Sequence, residues 1–249
     1  MARKKSNSSP LVTLFIFIII AVIAFVVLTP IVLIAGFLKN QYQAVRLRSA
    51  IVSRKGKVWL DKYERQEFIE KVRTLQATEQ KIGEAESRGE QGAVSRNRDG
   101  SFSARSKLGK ELREIMDQSL PLQQCLLEEL QLLQELPASR WRKLNRYVAK
   151  SHAFALALIA WSGTLSYYFF EQGRQFGSDF LQVYWAFATN LIRADQSKLP
   201  LSGADVEMLF VSTAVGVGSY WLGRLVFFRA GKRYAPEPDL VTMQNINSY

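Results

Sequence analysis

Cysteine and histidine are all but missing from this chain: Cys125 and His152 are the single examples of each. One cysteine excludes an intramolecular disulfide. One of each leaves too few ligands for a His/Cys zinc site. The sequence also lacks a phosphate-cradling glycine loop and any nucleophile–base spacing. A lipid-active enzyme would draw its base, nucleophile or metal ligand from interfacial His, Asp or Cys, and the chain offers little of these. No catalytic, cofactor-binding or metal-ligating residue is therefore assigned, no cofactor is expected, and a non-enzymatic role is the expectation.

Charge is absent from long stretches. Residues 11–38 hold no Asp, Glu, Lys or Arg, and neither do residues 152–170. A third apolar run covers residues 206–228, and the interiors of all three are expected to be free of carboxylates. A proton-coupled carrier generally needs such a group inside the membrane, so the expectation argues against an autonomous one. A helix needs about 20 apolar residues to cross a bilayer core of about 30 Å. The three runs are thus read as transmembrane segments. The first follows a basic tail (residues 1–10, with Arg3, Lys4 and Lys5) and is too long for a cleavable signal, so an uncleaved anchor is expected. Pro30 predicts a kink there, because it removes one backbone donor. A hairpin turning at Thr29-Pro30 is the alternative.

What remains is polar and helical. Residues 39–151 form the expected cytoplasmic domain. Phe68, Val72, Leu75 and Ile82 mark one amphipathic stripe, interrupted at Glu79. Leu108, Leu112, Ile115, Leu122, Leu126, Leu133 and Leu136 mark a second, diluted by Ser119 and Glu129 and broken or kinked at Pro121. Residues 92–106 are small and polar and read as a flexible linker. Two such helices suggest an antiparallel hairpin or a coiled-coil-like pair, with Cys125 packed inside. The predicted fold class is all-α: a multi-pass helical membrane protein with a cytoplasmic helical-hairpin domain.

Residues 171–205 form a loop containing a further apolar stretch, 180–192. It is too short to span, and is expected as an interfacial or re-entrant helix capped by Ser178 and Asp179. Ser202 and Asp205 resemble a capping box before the third span. Arg224 is placed to snorkel. The tail, residues 229–249, is expected to be disordered.

The chain carries 33 Lys+Arg against 22 Asp+Glu, net +11. Basic residues crowd the ends of the polar domain, at Lys39–Lys57 and Arg140–Lys150, where anionic headgroups are the expected partners. The positive-inside rule then puts residues 39–151 and the tail in the cytoplasm and loop 171–205 outside, in a cell inner or plasma membrane. Since topology accounts for the charge, nucleic acid is not expected. His152, next to Lys150, reads as a solvated interfacial residue.

Small residues recur at helical spacing in two spans: Ala153, Ala157, Ala160 and Thr164, and Ser212, Gly216, Ser219 and Gly223. Such faces permit close helix packing in lipid. They predict a seam, within the chain or with other subunits or further copies. Thr164, Ser212 and Thr213 are the candidate pore-lining residues if the chain forms a channel. The layout is similar to that of the ExbB/TolQ/MotA class of proton-channel stator subunits, with Gly163-Thr164 and Ser212-Thr213-Ala214-Val215-Gly216 as the nearest equivalents. The resemblance covers topology and these positions; the long 171–205 loop and the aromatic span ends depart from it. The sequence thus points to a membrane subunit that assembles through small-residue faces and holds partners on its cytoplasmic helices, with a holin-like or stator-like pore as the alternative.

Overall fold

The computed structural model describes residues 10–53, 58–193, 203–229 and 234–247. Every regular element among them is a helix: α1 (Pro10–Ser53), α2 (Lys62–Gln91), α3 (Lys107–Glu171), α4 (Ser178–Arg193), α5 (Gly203–Arg229) and α6 (Met243–Asn247). Three are long and apolar enough to cross a membrane: α1 over Ala24–Ile51, α3, and α5 over Gly203–Phe228. The chain divides into two compact units. One comprises Met1–Arg46 with Leu144–Tyr234, the other Leu47–Lys143 with Ala235–Tyr249.

In the first unit, α1 continues as helix through Pro30, so no hairpin forms at Thr29-Pro30. Thr29 donates its hydroxyl to the Phe25 carbonyl at 2.7 Å, an i−4 bond that local helix geometry favours. Around α1 pack the later part of α3, α4 and α5. Their shared core contains Val26, Leu33, Ala157, Trp161, Leu165, Phe169, Phe187, Met208 and Leu209. The opposite sides stay apolar and exposed, at Phe25, Leu28, Ile31 and Val32 on α1 and Trp221, Leu222 and Leu225 on α5. Apolar inside and apolar outside is consistent with a helix bundle whose solvent is lipid.

The second span of the sequence is not a separate helix. α3 is continuous over 65 residues with Pro121 and Pro137 inside it, so Pro121 does not break the helix. Pro121 is exposed, and water can satisfy the carbonyl that its missing N–H leaves open.

The second unit is an α2–α3 hairpin. A complete capping box starts α2: Glu64 donates its backbone N–H to the Asp61 carboxylate, and Asp61 donates back to Glu64, each at 2.9 Å. One core gathers Val58, Leu60, Phe68, Leu130 and Leu133, another Ala85, Phe102 and Leu112. Of the predicted α3 stripe, Leu112, Leu126 and Leu133 are buried and Leu108, Ile115 and Leu136 are half-buried. Leu122 is neither, at 46% exposed, and Cys125, expected to be packed, is exposed as well. Glu129 holds its place by pairing with Lys71 at 2.8 Å.

Two expectations are corrected here. The supposed flexible linker forms a hydrogen-bonded turn, with an isolated bridge between Arg96 and Phe102. Asp99 accepts from the Ser101 hydroxyl at 2.7 Å, and Phe102 is buried against Gly89, where an added methyl would collide with its ring. The tail is also ordered over 234–247. Val241 and Ile246 are buried in the α2–α3 core, and the Trp141 indole donates to the Ala235 carbonyl at 3.0 Å. Burying two branched side chains offsets the entropy that the prolines and polar residues suggested would win.

Candidate functional site

The small-residue positions lie in the first unit, and the structure brings several together. Ala153, Ala157 and Ser212 are fully buried. A methyl built on Gly223 would lie 3.1 Å from the Ala153 Cα and 3.2 Å from the Leu156 side chain; one on Gly216 would lie 3.1 Å from the Trp161 Cβ. Gly216 and Gly223 of α5 therefore face α3 of the same chain. Ala160, Thr164 and Ser219 are half-buried. A third close approach went unforeseen: the Phe154 ring fills the space a side chain on Gly36 would need. The signal was present, since Gly36 stands at the end of a run dominated by branched and aromatic residues.

Two of the three candidate pore-lining hydroxyls, those of Thr164 and Ser212, turn toward their own helices. Thr164 donates to the Ala160 carbonyl at 2.8 Å, and Ser212 donates to the Met208 carbonyl. Thr213 is buried.

The expectation of carboxylate-free spans fails at the start of the third. Glu207 occupies its second position. Just before it, Asp205 is 3% exposed and accepts from the Arg174 guanidinium at 2.8 Å. Both acids sit in the first turns of α5, where the helix N-terminus favours negative charge. Asp205 thus serves an ion pair across the loop. Ser202 lies outside the described residues, as do Arg3, Lys4, Lys5, Arg54, Lys55 and Lys57.

At the start of α4, the Asp179 carboxylate accepts from the Gln175 N–H at 2.9 Å, while the Ser178 hydroxyl is turned to Asp179. Behind this end sits an aromatic cluster. Phe180 meets Trp161 edge-on at 5.6 Å and Tyr184 at 5.6 Å, with Phe169 at 6.4 Å. The Tyr184 hydroxyl donates to the Val27 carbonyl of α1 at 2.7 Å.

At the other end of the apolar run of α3, His152 is not merely solvated. Its ring packs edge-on against Phe227 at 5.5 Å and Tyr234 at 5.0 Å. Asn145 accepts the Tyr234 N–H at 2.9 Å, and burial pushes the Tyr234 phenol up from its ordinary pKa. Arg224 lies over Trp221 at 5.4 Å and Phe228 at 6.0 Å, a cation–π arrangement.

In the second unit, Arg140 was expected to face headgroups. Instead its guanidinium donates to both Glu64 oxygens and to the Trp59 carbonyl. Trp59 holds a left-handed backbone at φ 58, a conformation costly for a bulky residue. The Arg140 bond is one contact that secures it.

Among the described residues, no group of three or more His, Cys, Asp or Glu side chains is placed to hold a metal ion. No protein-family model, curated protein or solved structure matches the chain.

Proposed function

We propose that this chain is a non-enzymatic, multi-pass membrane subunit whose polar helical unit holds partner proteins. The observation that carries the reading is on α3 within the polar unit. Leu120, Leu122, Leu127 and Leu132 are 42%, 46%, 48% and 65% exposed, on a helix that already buries Leu126, Leu130 and Leu133. Exposed leucines at this density on a polar unit favour a protein interface. The small-residue glycines of α5 already face α3, so the reading assigns assembly to these leucines rather than to the spans. The excess of basic residues flanking the spans supports a cytoplasmic polar unit and an inner or plasma membrane.

The pore-forming alternative asks for Thr164 and Ser212 to line a water path. Their hydroxyls are directed at their own carbonyls, which favours the subunit reading. The test is a photo-crosslinking residue at Leu132 in cells, with Phe68 as a buried control. Specific adducts at Leu132 alone support the proposal; equal silence at both positions, in membranes that retain the protein after alkaline extraction, refutes partner binding there.

A further inference from the structure

We propose that α4 is a re-entrant helix seated in the hydrocarbon of one leaflet, its Leu181–Trp185 face resting on acyl chains. The proposal rests on the membrane reading and adds the depth and lipid-facing side of an element that does not span. At 16 residues and about 1.5 Å each, α4 is about 24 Å long, short of the core thickness of about 30 Å.

Depth follows from what α4 touches. Trp161 is the midpoint of the uncharged run 152–170, about 14 Å from either end at the helical rise. Phe180 packs edge-on against the Trp161 ring at 5.6 Å. A helix lying flat among headgroups would meet α3 near Phe169 and Phe170 and leave Trp161 untouched. Phe180 does contact Phe169, at 6.4 Å, so its ring reaches from the rim toward the middle. The Tyr184–Val27 bond agrees. Gly36 of α1 faces Phe154 of α3. Trp161 lies seven residues beyond Phe154 and Val27 nine residues before Gly36, about 10 and 14 Å along oppositely directed helices. Val27 and Trp161 are therefore at similar depth.

The backbone and charged groups fit this placement, while Gln182 is an exposed polar residue beside Leu181. In lipid, backbone donors and acceptors need internal partners. In the turn before α4, Gln172, Gly173 and Arg174 donate their N–H groups to Tyr168, Phe170 and Phe169 at 3.1, 3.1 and 2.7 Å. Within α4, the Thr189 hydroxyl bonds the Trp185 carbonyl at 2.8 Å, and the charged residues stand only at its two ends. The charges of the turn gather at the rim, where Arg174 pairs with Asp205. On the outer side, Leu181 and Trp185 are 64% and 70% exposed. One turn apart, they are apolar and exposed, as are Tyr167 and Phe170 on α3 and Phe25 and Leu28 on α1.

Nitroxide scanning of the full chain in phosphatidylcholine–phosphatidylglycerol vesicles tests this. On a Cys125→Ser background, single labels are placed by Trp185→Cys, Leu181→Cys, Ile159→Cys and Gln172→Cys. Collision with oxygen is compared with collision with a water-soluble nickel chelate. Positions 181 and 185 should match Ile159 in favouring oxygen, with Gln172 favouring nickel. A nickel preference at 181 and 185 while Ile159 favours oxygen overturns the re-entrant placement alone. Exclusion of both reagents at 181 and 185 means protein covers the face, and overturns the contact with acyl chains. A nickel preference at Ile159 too sinks the membrane reading, and this proposal with it.

Discussion

Gly223 of α5 stands against the backbone of Ala153 of α3, with 3.1 Å between the Ala153 Cα and the point where a side chain on Gly223 would begin. Even a methyl there needs its neighbours to give by a few tenths of an ångström, and a larger side chain needs more. Gly223→Leu should cost about 1–3 kcal/mol through overpacking, read as a lower melting temperature in mild detergent. Gly163→Leu is the control, because nothing lies within 4 Å of a methyl at that position. Equal melting of the two variants would remove the α3–α5 seam.

A second prediction contrasts two ion pairs of the polar unit. Arg140 and Glu64 are 17% and 18% exposed, whereas Lys71 and Glu129 are 21% and 43% exposed. Arg140→Met leaves a largely buried carboxylate without its main partner and should cost about 2–3 kcal/mol, below the range for fully buried pairs. Lys71→Met should cost no more than about 1 kcal/mol. Hydrogen exchange of α2 in the full chain measures both, and the reverse ranking would refute the argument from burial.

Lys71 also sets a pH window. Hydrogen bonds from its ammonium to Glu129 and then Glu67 raise its pKa above the ordinary 10.5. A raised folded pKa means the charged form is favoured by folding. Its contribution is complete below pH 10.5 and is lost as pH climbs through the higher folded value. Exchange protection in α2 should therefore fall more steeply above pH 10.5 in the native chain than in Lys71→Met. Identical slopes would show that the pair contributes nothing to folding.

The helical periods and apolar runs were legible because they repeat: Phe68, Leu112, Leu126 and Leu133 are buried as their spacing required. What stayed hidden depends on single long-range contacts. Phe102 is one aromatic in a polar stretch, and its partner Gly89 carries no side chain to announce it. Val241 and Ile246 lie beyond two prolines, and their receptors on α2 and α3 are more than a hundred residues away. Pro121 misled because helix-breaking is a local rule, and here the lost hydrogen bond falls on the solvent side. The pairing of Arg174 with Asp205 joins two charges that the sequence could only count.

The ordered tail makes its own prediction. Ile246 is 5% exposed in a core shared with Phe68 and Leu130, and its short helix starts where Thr242 accepts the Asn245 N–H. Ile246→Ala should cost about 2 kcal/mol, the low end for a buried aliphatic because a terminal segment can relax. Faster hydrogen exchange should appear at Val58–Leu60, on the same core. The exposed Leu240→Ala should change neither. If the two variants behave alike, the tail does not dock.

Cys125 gives the most direct test of sidedness. It is the only thiol of the chain and is exposed on α3 in the polar unit, so labelling needs no engineered site. A buried cysteine, as its place beside Leu126 suggested, would react only after denaturation. An exposed one reacts in the native protein at a rate set by its thiolate fraction. If the polar unit is cytoplasmic, a membrane-impermeant maleimide should spare Cys125 in intact cells and modify it in inverted vesicles. The opposite pattern would turn the molecule over in the bilayer. It would leave the basic flanks of Arg140–Lys150 on the wrong side of the positive-inside rule, and would move the leucines proposed to bind partners out of the cytoplasm.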